Sequence, residues 1–222
     1  LGYSAAAFLE PAKEVGGDLY DFFTAPDGRQ AVVIGDVSDK GVSAALFMSM
    51  TVTLVRYALA EGLSCSEAML RINERLAENN PSCMFVTLFI GLFDPATGRL
   101  DYASGAHCPP FVVNPDADVP VRKLTETSGP LVGAMQGLDY EACHAVIAPG
   151  EYCLLYTDGV SEAMNEKLEL FGEERIAATL EHLRGASPDE VLHGVMTEVK
   201  KYRGKAPQSD DITMLCFRRA PE

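Results

Sequence analysis

The sequence predicts an α+β fold in which antiparallel sheets stack as a sandwich with helices outside. Three observations carry that expectation. Extended and helical patterns come in blocks and do not alternate strictly, which disfavours a doubly wound parallel sheet. Several extended runs are apolar at every position, so both faces of a sheet must be covered. The 222 residues, 47% hydrophobic and 23% charged, suffice for one domain with a sizeable core and are far too apolar for intrinsic disorder.

The elements follow in order. Residues 3–9, 17–24 and 30–37 read as strands, with Pro26-Asp27-Gly28 as the turn between the last two. From about Lys40 to Glu61 the pattern turns helical: Ala44, Phe47, Met48, Thr51, Val55, Ala58 and Leu59 fall at three- and four-residue spacing on one face. The stretch Met48, Met50, Leu54, Leu59 reads as core packing. Ser64 and Glu67 form a capping box that starts a second helix running to about Asn79, and Pro81 ends it. Strands return at 84–94 and 99–105 around the turn Asp94-Pro95-Ala96-Thr97-Gly98, then at 110–114, 120–125, 140–147 and 151–157. Helices near 171–184 and 188–203 come next. The second has Ser187 at its cap, Pro188 at its first position and Glu190 at its third. A strand over 212–218 closes the chain.

Charge and cysteine usage narrow the function. Thirty-two acidic against 18 basic side chains give a formal −14, a surface that repels phosphate backbones and anionic lipid and attracts cations. Nucleic acid is therefore not an expected partner. No apolar run approaches the ~18 residues that span a bilayer, so membrane insertion is not expected either. The six cysteines (65, 83, 108, 143, 153 and 216) hold no C-x-x-C pair and read as reduced, which points to a cytoplasmic protein. The chain opens at Leu1 with no basic or apolar leader pattern, as a domain cut from a longer protein would.

The informative feature is where the aspartates fall. Asp36 ends the apolar strand Ala31–Ile34, and Asp158 ends the strand that begins at Tyr152. Asp210 and Asp211 immediately precede Ile212, and Asp18 precedes Leu19-Tyr20. Each alone reads as a turn or cap residue. Together they place carboxylates from four distant segments where buried strands meet loops. Strand ends at one edge of a sandwich converge, and carboxylates gathered there repel unless a cation joins them. Oxygen-only donors select Mg²⁺ or Mn²⁺ over Zn²⁺. Glycines at 35, 41 and 159 would let carbonyls and waters approach closely. Two such ions can activate water against a phosphate ester, so no protein nucleophile is needed. None is evident: G-x-S-x-G and Walker-type patterns are both missing.

These segments resemble the metal-dependent (2C-type) Ser/Thr protein phosphatase superfamily, specifically its bacterial SpoIIE/RsbU branch. The resemblance runs in order along nearly the whole chain. It rests on Glu14-Val15-Gly16-Gly17-Asp18-Leu19-Tyr20-Asp21, Gly35-Asp36-Val37-Ser38-Asp39-Lys40-Gly41-Val42, Phe85-Val86-Thr87-Leu88-Phe89 and Asp94–Leu100. It continues through Pro130–Gly133, Tyr156-Thr157-Asp158-Gly159-Val160-Ser161-Glu162-Ala163, Phe171–Arg175 and Asp210-Asp211-Ile212-Thr213. It implies a four-layer α-β-β-α sandwich, with residues 1–222 a single phosphatase domain at the C-terminal end of a regulatory protein. It also implies two Mn²⁺ or Mg²⁺ ions: Asp36 bridges them, the Val37 carbonyl completes one, Asp158 and Asp210 hold the other, and Asp18 binds or orients water. Asp211, where many relatives have Asn, is assigned a supporting role, as are Asp21 and Glu162. The implied substrate is a phosphorylated STAS-type anti-anti-sigma protein. An N-terminal sensor or regulatory module is the implied partner, and the helices of residues 40–80 form a switch that can contribute to a homodimer.

The chain departs from that pattern in places. Ser104-Gly105-Ala106-His107-Cys108-Pro109-Pro110 lacks the Asn of the usual Ala-Gly-His-Asn-Pro-Pro turn, and His107 is expected to be structural and hydrogen-bonded. Asp39 replaces a frequent Gly and reads as a solvated loop charge. The phosphate-gripping arginine of eukaryotic-type relatives has no clear counterpart, and Lys13 is expected to pair with a neighbouring carboxylate. A non-catalytic interaction module and a metal-dependent hydrolase of small phosphoesters are the alternative readings.

Overall fold

The computed structural model describes residues 2–14, 16–78, 80–126 and 129–221; Leu1, Val15, Asn79, Thr127, Ser128 and Glu222 lie outside the described residues. Val15 of the first aspartate segment and the expected end of the second helix at Asn79 fall among the latter. The chain divides into two compact units. An N-proximal unit comprises Lys13–His107 and Glu126–Val146, and a C-proximal unit comprises Leu1–Ala12, Cys108–Thr125 and Ile147–Glu222.

In the N-proximal unit the strands β2 (Asp18–Thr24), β3 (Gln30–Val37), β4 (Val86–Phe93), β5 (Arg99–Gly105) and β8 (Cys143–Val146) form one antiparallel sheet in the order β2-β3-β4-β5-β8. Alternation sorts its side chains. Leu19, Ala31, Val33, Val37, Val86, Leu88, Ile90 and Ala103 face the helices α1 (Val42–Ala60) and α2 (Cys65–Ala77). Val32, Ile34, Phe89, Phe93 and Tyr102 belong to the other face and are also buried, with Phe89 stacked on Tyr102 at 5.2 Å. This sheet is thus apolar on both faces, as its continuous hydrophobic runs require. The expected turn at Asp94 forms, Thr97 Oγ1 donating to Asp94 Oδ2 (2.6 Å). Helix α2 begins with the anticipated capping box, in which Ser64 and Glu67 satisfy each other's backbone amides.

Helix α1 corrects two expectations. Ala44, Phe47, Thr51, Val55, Ala58 and Leu59 are buried as the periodicity indicates, but Met50 is exposed with Val42, Leu46 and Tyr57 on the far side. Met50 is therefore not core, because it lies off the stripe that Phe47, Thr51 and Val55 define. The helix is also long and apolar enough by length and composition to cross a membrane: 19 residues of mean hydropathy 1.5, with a third of that window buried. Reading for an unbroken apolar run missed it, since Ser43, Ser49, Thr51 and Thr53 interrupt the run at little cost in mean hydropathy.

In the C-proximal unit β1 (Tyr3–Glu10), β10 (Ile212–Arg219), β9 (Tyr152–Tyr156), β6 (Phe111–Val113) and β7 (Val121–Lys123) form the second antiparallel sheet, in the order β1-β10-β9-β6-β7. Phe111, Tyr152, Leu154, Tyr156, Ile212 and Met214 pack with Ile176 and Leu180 of α4 (Gly172–His182) and Val191, Val195 and Val199 of α5 (Pro188–Arg203). Cys153, Leu155, Leu215 and Phe217 are buried as well. Ser187, Pro188 and Glu190 start α5 as expected. A short helix, α3 (Asp158–Ser161), follows β9 where only a loop was anticipated.

All six cysteines are free thiols. Burial pushes Cys65 up to about 12 and raises Cys153 and Cys216 as well, so these behave as small apolar groups rather than nucleophiles.

Two measurements test this packing. Ile72 of α2 is fully buried in the N-proximal core, so Ile72→Ala is expected to cost about 2–5 kcal/mol and to lower the thermal midpoint. Asp101 lies 2.9 Å from Arg29 Nη1, 2.7 Å from Arg99 Nε and 2.7 Å from His144 Nδ1. Burial opposes its charge, but the hydrogen bonds from Arg99 and His144 win and hold its carboxyl below the usual range. A depressed carboxylate stabilises the fold above its unfolded pKa of about 3.9 and loses that contribution as pH falls through the lower folded value. Urea midpoints of Asp101→Asn are therefore expected to fall less between pH 5 and pH 3 than those of the unsubstituted chain.

Candidate functional site

The β2–β3–β4 register builds the first half of the acidic constellation. Asp18 stands directly opposite Asp36, and Asp36 directly opposite Thr87, so the three share the sheet face turned away from α1 and α2. Asp18 is 5% exposed and Asp36 half-buried. Glycines make the close approach possible: a Cβ on Gly35 would come within 2.7 Å of the Thr87 carbonyl, and one on Gly17 within 2.9 Å of the Val37 carbonyl. The Val37 amide donates to the Gly17 carbonyl (3.3 Å), and the Ser38 amide to the Phe85 carbonyl (2.8 Å). Asp39 is exposed at φ 76°, a left-handed conformation open to Asp, and leads through Gly41 at φ 91° into α1. Like charges directly opposite on one sheet face destabilise it unless a cation or a proton intervenes.

His107 extends this row. It is buried, and its Nδ1 lies 2.9 Å from Thr87 Oγ1, beside the position of Asp36. The expectation of a structural, hydrogen-bonded histidine fits that contact. The row itself, Asp18–Asp36–Thr87–His107, was not anticipated, although counting the β3–β4 register from the two apolar runs would have set Thr87 opposite Asp36. Asp21, expected to organise a turn or to support the ligand residues, accepts both Nε and Nη2 of Arg56 at 2.6 and 2.8 Å. Lys13 is exposed, and among the described residues it forms no ion pair, so the expected surface pair is not found there.

The second half lies in the C-proximal unit. Asp158 is the first residue of α3, whose entry is fixed by Thr157: its amide donates to the Thr213 carbonyl (3.0 Å), and the Thr213 amide donates to its Oγ1 (3.1 Å). A Cβ on Gly159 would fall 1.8 Å from the Asp211 carbonyl oxygen, so the corner after β9 rests directly on the backbone that opens β10. Asp211 is buried; its Oδ1 accepts the Ala12 amide (2.7 Å), and its own amide donates to Asp210 Oδ1 (2.9 Å). Gln208 Nε2 donates to the carbonyls of Asp210 (2.8 Å) and Glu10 (2.9 Å), which anchors the turn. Asp158 and Asp210 are half-buried, and Glu162 is exposed at the C-terminal cap of α3.

The acidic residues therefore come as Asp18 with Asp36 in one unit and as Asp158 with Asp210 and Asp211 in the other. No three His, Cys, Asp or Glu side chains among the described residues gather as a ready metal-holding group. The donor chemistry nevertheless fits a hard divalent cation: carboxylates plus the Val37 carbonyl, with a close like-charge pair that such an ion would relieve. A cavity of about 800 Å³ between α4 and α5 is lined by Phe171, Arg175, Leu183, Gly194 and Tyr202 and contains none of these aspartates. Gly159 offers a direct test. Its neighbour is backbone and cannot rotate away, so Gly159→Ala is expected to cost about 1–3 kcal/mol or more, read as a lowered thermal midpoint.

Comparison with known proteins places this geometry. The family model described as Stage II sporulation protein E (SpoIIE) matches residues 26–220. Protein IcfG of Synechocystis sp. is 33% identical over 240 residues, covering 96% of this chain and 37% of IcfG. Phosphoserine phosphatase RsbU of Bacillus subtilis is 28% identical over 217 residues, covering 96% of this chain and 62% of RsbU. The chain thus spans about a third of IcfG and just under two thirds of RsbU. The crystal structure of RsbU and RsbW domains from Mycobacterium tuberculosis matches all of this chain and 61% of that one, with a TM-score of 0.84 and 29% identity. The order of aspartates, the two five-stranded sheets and these matches agree: the chain belongs to the SpoIIE family, and it shares the fold of PP2C phosphatase domains.

Proposed function

We propose that this chain hydrolyses phosphoserine or phosphothreonine on a small regulatory protein, a STAS-type anti-anti-sigma factor, using two Mn²⁺ or Mg²⁺ ions. The observation that carries the reading is the Asp18–Asp36 pair, two carboxylates held face to face by strand register. The similarity to RsbU, a phosphoserine phosphatase, supports the reaction class. In this reading Asp36 would hold both ions, the Val37 carbonyl and Asp18 would serve one of them, and Asp158 and Asp210 would serve the other. Asp211, committed to the Ala12 amide, holds the Asp210 turn rather than an ion.

Bound divalent ions supply an activated water and offset the charge that develops on the phosphoryl oxygens. This chain's residues do the positioning. The β3 backbone holds the Asp36 carboxylate and the Val37 carbonyl one residue apart, and the Gly17 carbonyl pins Val37 through its amide. Asp18, nearly enclosed, orients water rather than carrying substrate. Cys65, Cys153 and Cys216 take no part, since burial holds these thiols protonated. A cytoplasmic setting and an N-terminal regulatory partner complete the proposal. The six free thiols support the first, and the share of IcfG and RsbU left unmatched supports the second.

Two measurements test it. Phosphate release from a serine-phosphorylated STAS protein is expected to need Mn²⁺ or Mg²⁺, to stop with EDTA and to be lost in Asp36→Ala. Turnover that survives either treatment refutes the proposal. Faster turnover of free phosphoesters would favour a small-molecule hydrolase, and absent turnover a binding module. Asp36→Asn, which removes one of two opposed charges, is expected to raise the metal-free thermal midpoint and to abolish the further rise that Mn²⁺ gives the unsubstituted chain.

A further inference from the structure

Helix α1 carries a single charged side chain in its 19 residues, Arg56. It begins at Gly41 without a side-chain cap and exposes an apolar stripe, so it is held to its sheet by few polar contacts. That one charge is not solvated at random. Its Nε donates to Asp21 Oδ2 at 2.6 Å and its Nη2 to Asp21 Oδ1 at 2.8 Å, a two-pronged bond, while its guanidinium lies 4.5 Å from the centre of the Phe23 ring. The Asp21 side chain is only 12% exposed. Asp21 and Phe23 sit on the helix-facing side of β2, and Asp18 is three residues earlier on the same strand, facing the other way opposite Asp36.

A planar fork bound at both prongs fixes direction as well as distance, which a flexible ammonium cannot do. The carboxylate it grips also accepts the Phe22 amide at 2.9 Å, so the bond reaches into the β2 backbone itself. Any shift of α1 along the sheet must therefore break this bond or pull on β2 near Asp18. We propose that Arg56 is a positioning residue: its forked bond to Asp21 latches α1 to β2 and so sets the spacing of the Asp18–Asp36 pair for a divalent ion. The inference rests on the metal-dependent reading above and adds a residue to it that touches neither metal nor substrate.

Calorimetry with Mn²⁺ and amide hydrogen exchange on the metal-free protein test the latch together, using Arg56→Ala, Asp21→Asn and Arg56→Lys. Removal of either partner is expected to weaken Mn²⁺ binding about tenfold, the order expected for a charge-assisted bidentate bond. It should also speed exchange in α1 while leaving α5 as it was. Turnover at saturating Mn²⁺ should stay near the unsubstituted value, with the loss appearing in the Mn²⁺ concentration required. Arg56→Lys keeps the charge without the fork and should fall between the two. Unchanged Mn²⁺ affinity in Arg56→Ala overturns the proposal, whether or not α1 exchanges faster, because the pair is then only a helix tether. A Lys variant equal to the unsubstituted chain removes the role of the fork. Should the unsubstituted protein itself take up no Mn²⁺, the phosphatase reading fails and takes the coupling with it, a result distinct from a variant that binds normally.

Discussion

Electrostatic repulsion between two side chains that the backbone will not let part is the constraint on which the site depends. Hydrogen bonding between β2 and β3 fixes Asp18 opposite Asp36, and neither residue can rotate to the other sheet face without a shift of register. A one-residue slip would send Leu19, Ala31 and Val33 out of the helix-facing core, so the apolar alternation of the whole sheet enforces the confrontation of charges. Hydrophobic burial, far larger in sum than one ion–ion term, decides the outcome. The register thus sets two carboxylates on one sheet face, where a divalent cation would turn their repulsion into affinity.

The glycines serve the same end by different means. Gly17 and Gly35 bring backbone close to backbone beside the carboxylates, and Gly159 does so at the corner carrying Asp158. None of the three has a left-handed φ; what they supply is room. A carbonyl such as that of Val37 becomes available as an oxygen donor because its neighbour lacks a side chain.

Much of the fold was legible because its signals are local. Ser64 with Glu67 and Ser187 with Glu190 announced two helices, and continuous apolar runs announced strands buried on both faces. The strand-end aspartates were legible for the same reason, each being an acid beside a glycine or a buried run. What escaped was pairwise. Arg56 gave no sign of its partner 35 residues earlier, and Thr87 reads as an ordinary strand residue until register sets it between Asp36 and His107. Met50 was misplaced because methionine suits a core, and only its angle on the helix puts it outside. The four residues of α3 were too few to leave a periodicity.

The pairing of β1 with β10 has a consequence for how the polypeptide is made. Tyr3 is matched with Arg219 and Glu10 with Ile212, so one edge of the C-proximal sheet joins residues some 200 positions apart. On a ribosome that sheet stays incomplete until nearly all of the sequence has emerged, whereas the Lys13–Val146 stretch already holds every strand of the other. Closing so long a loop is slow, and the first ten residues must wait with an unsatisfied edge that invites wrong partners. Truncation after Asp211 would therefore remove more than a terminal strand: it would leave β1 without the strand it pairs with.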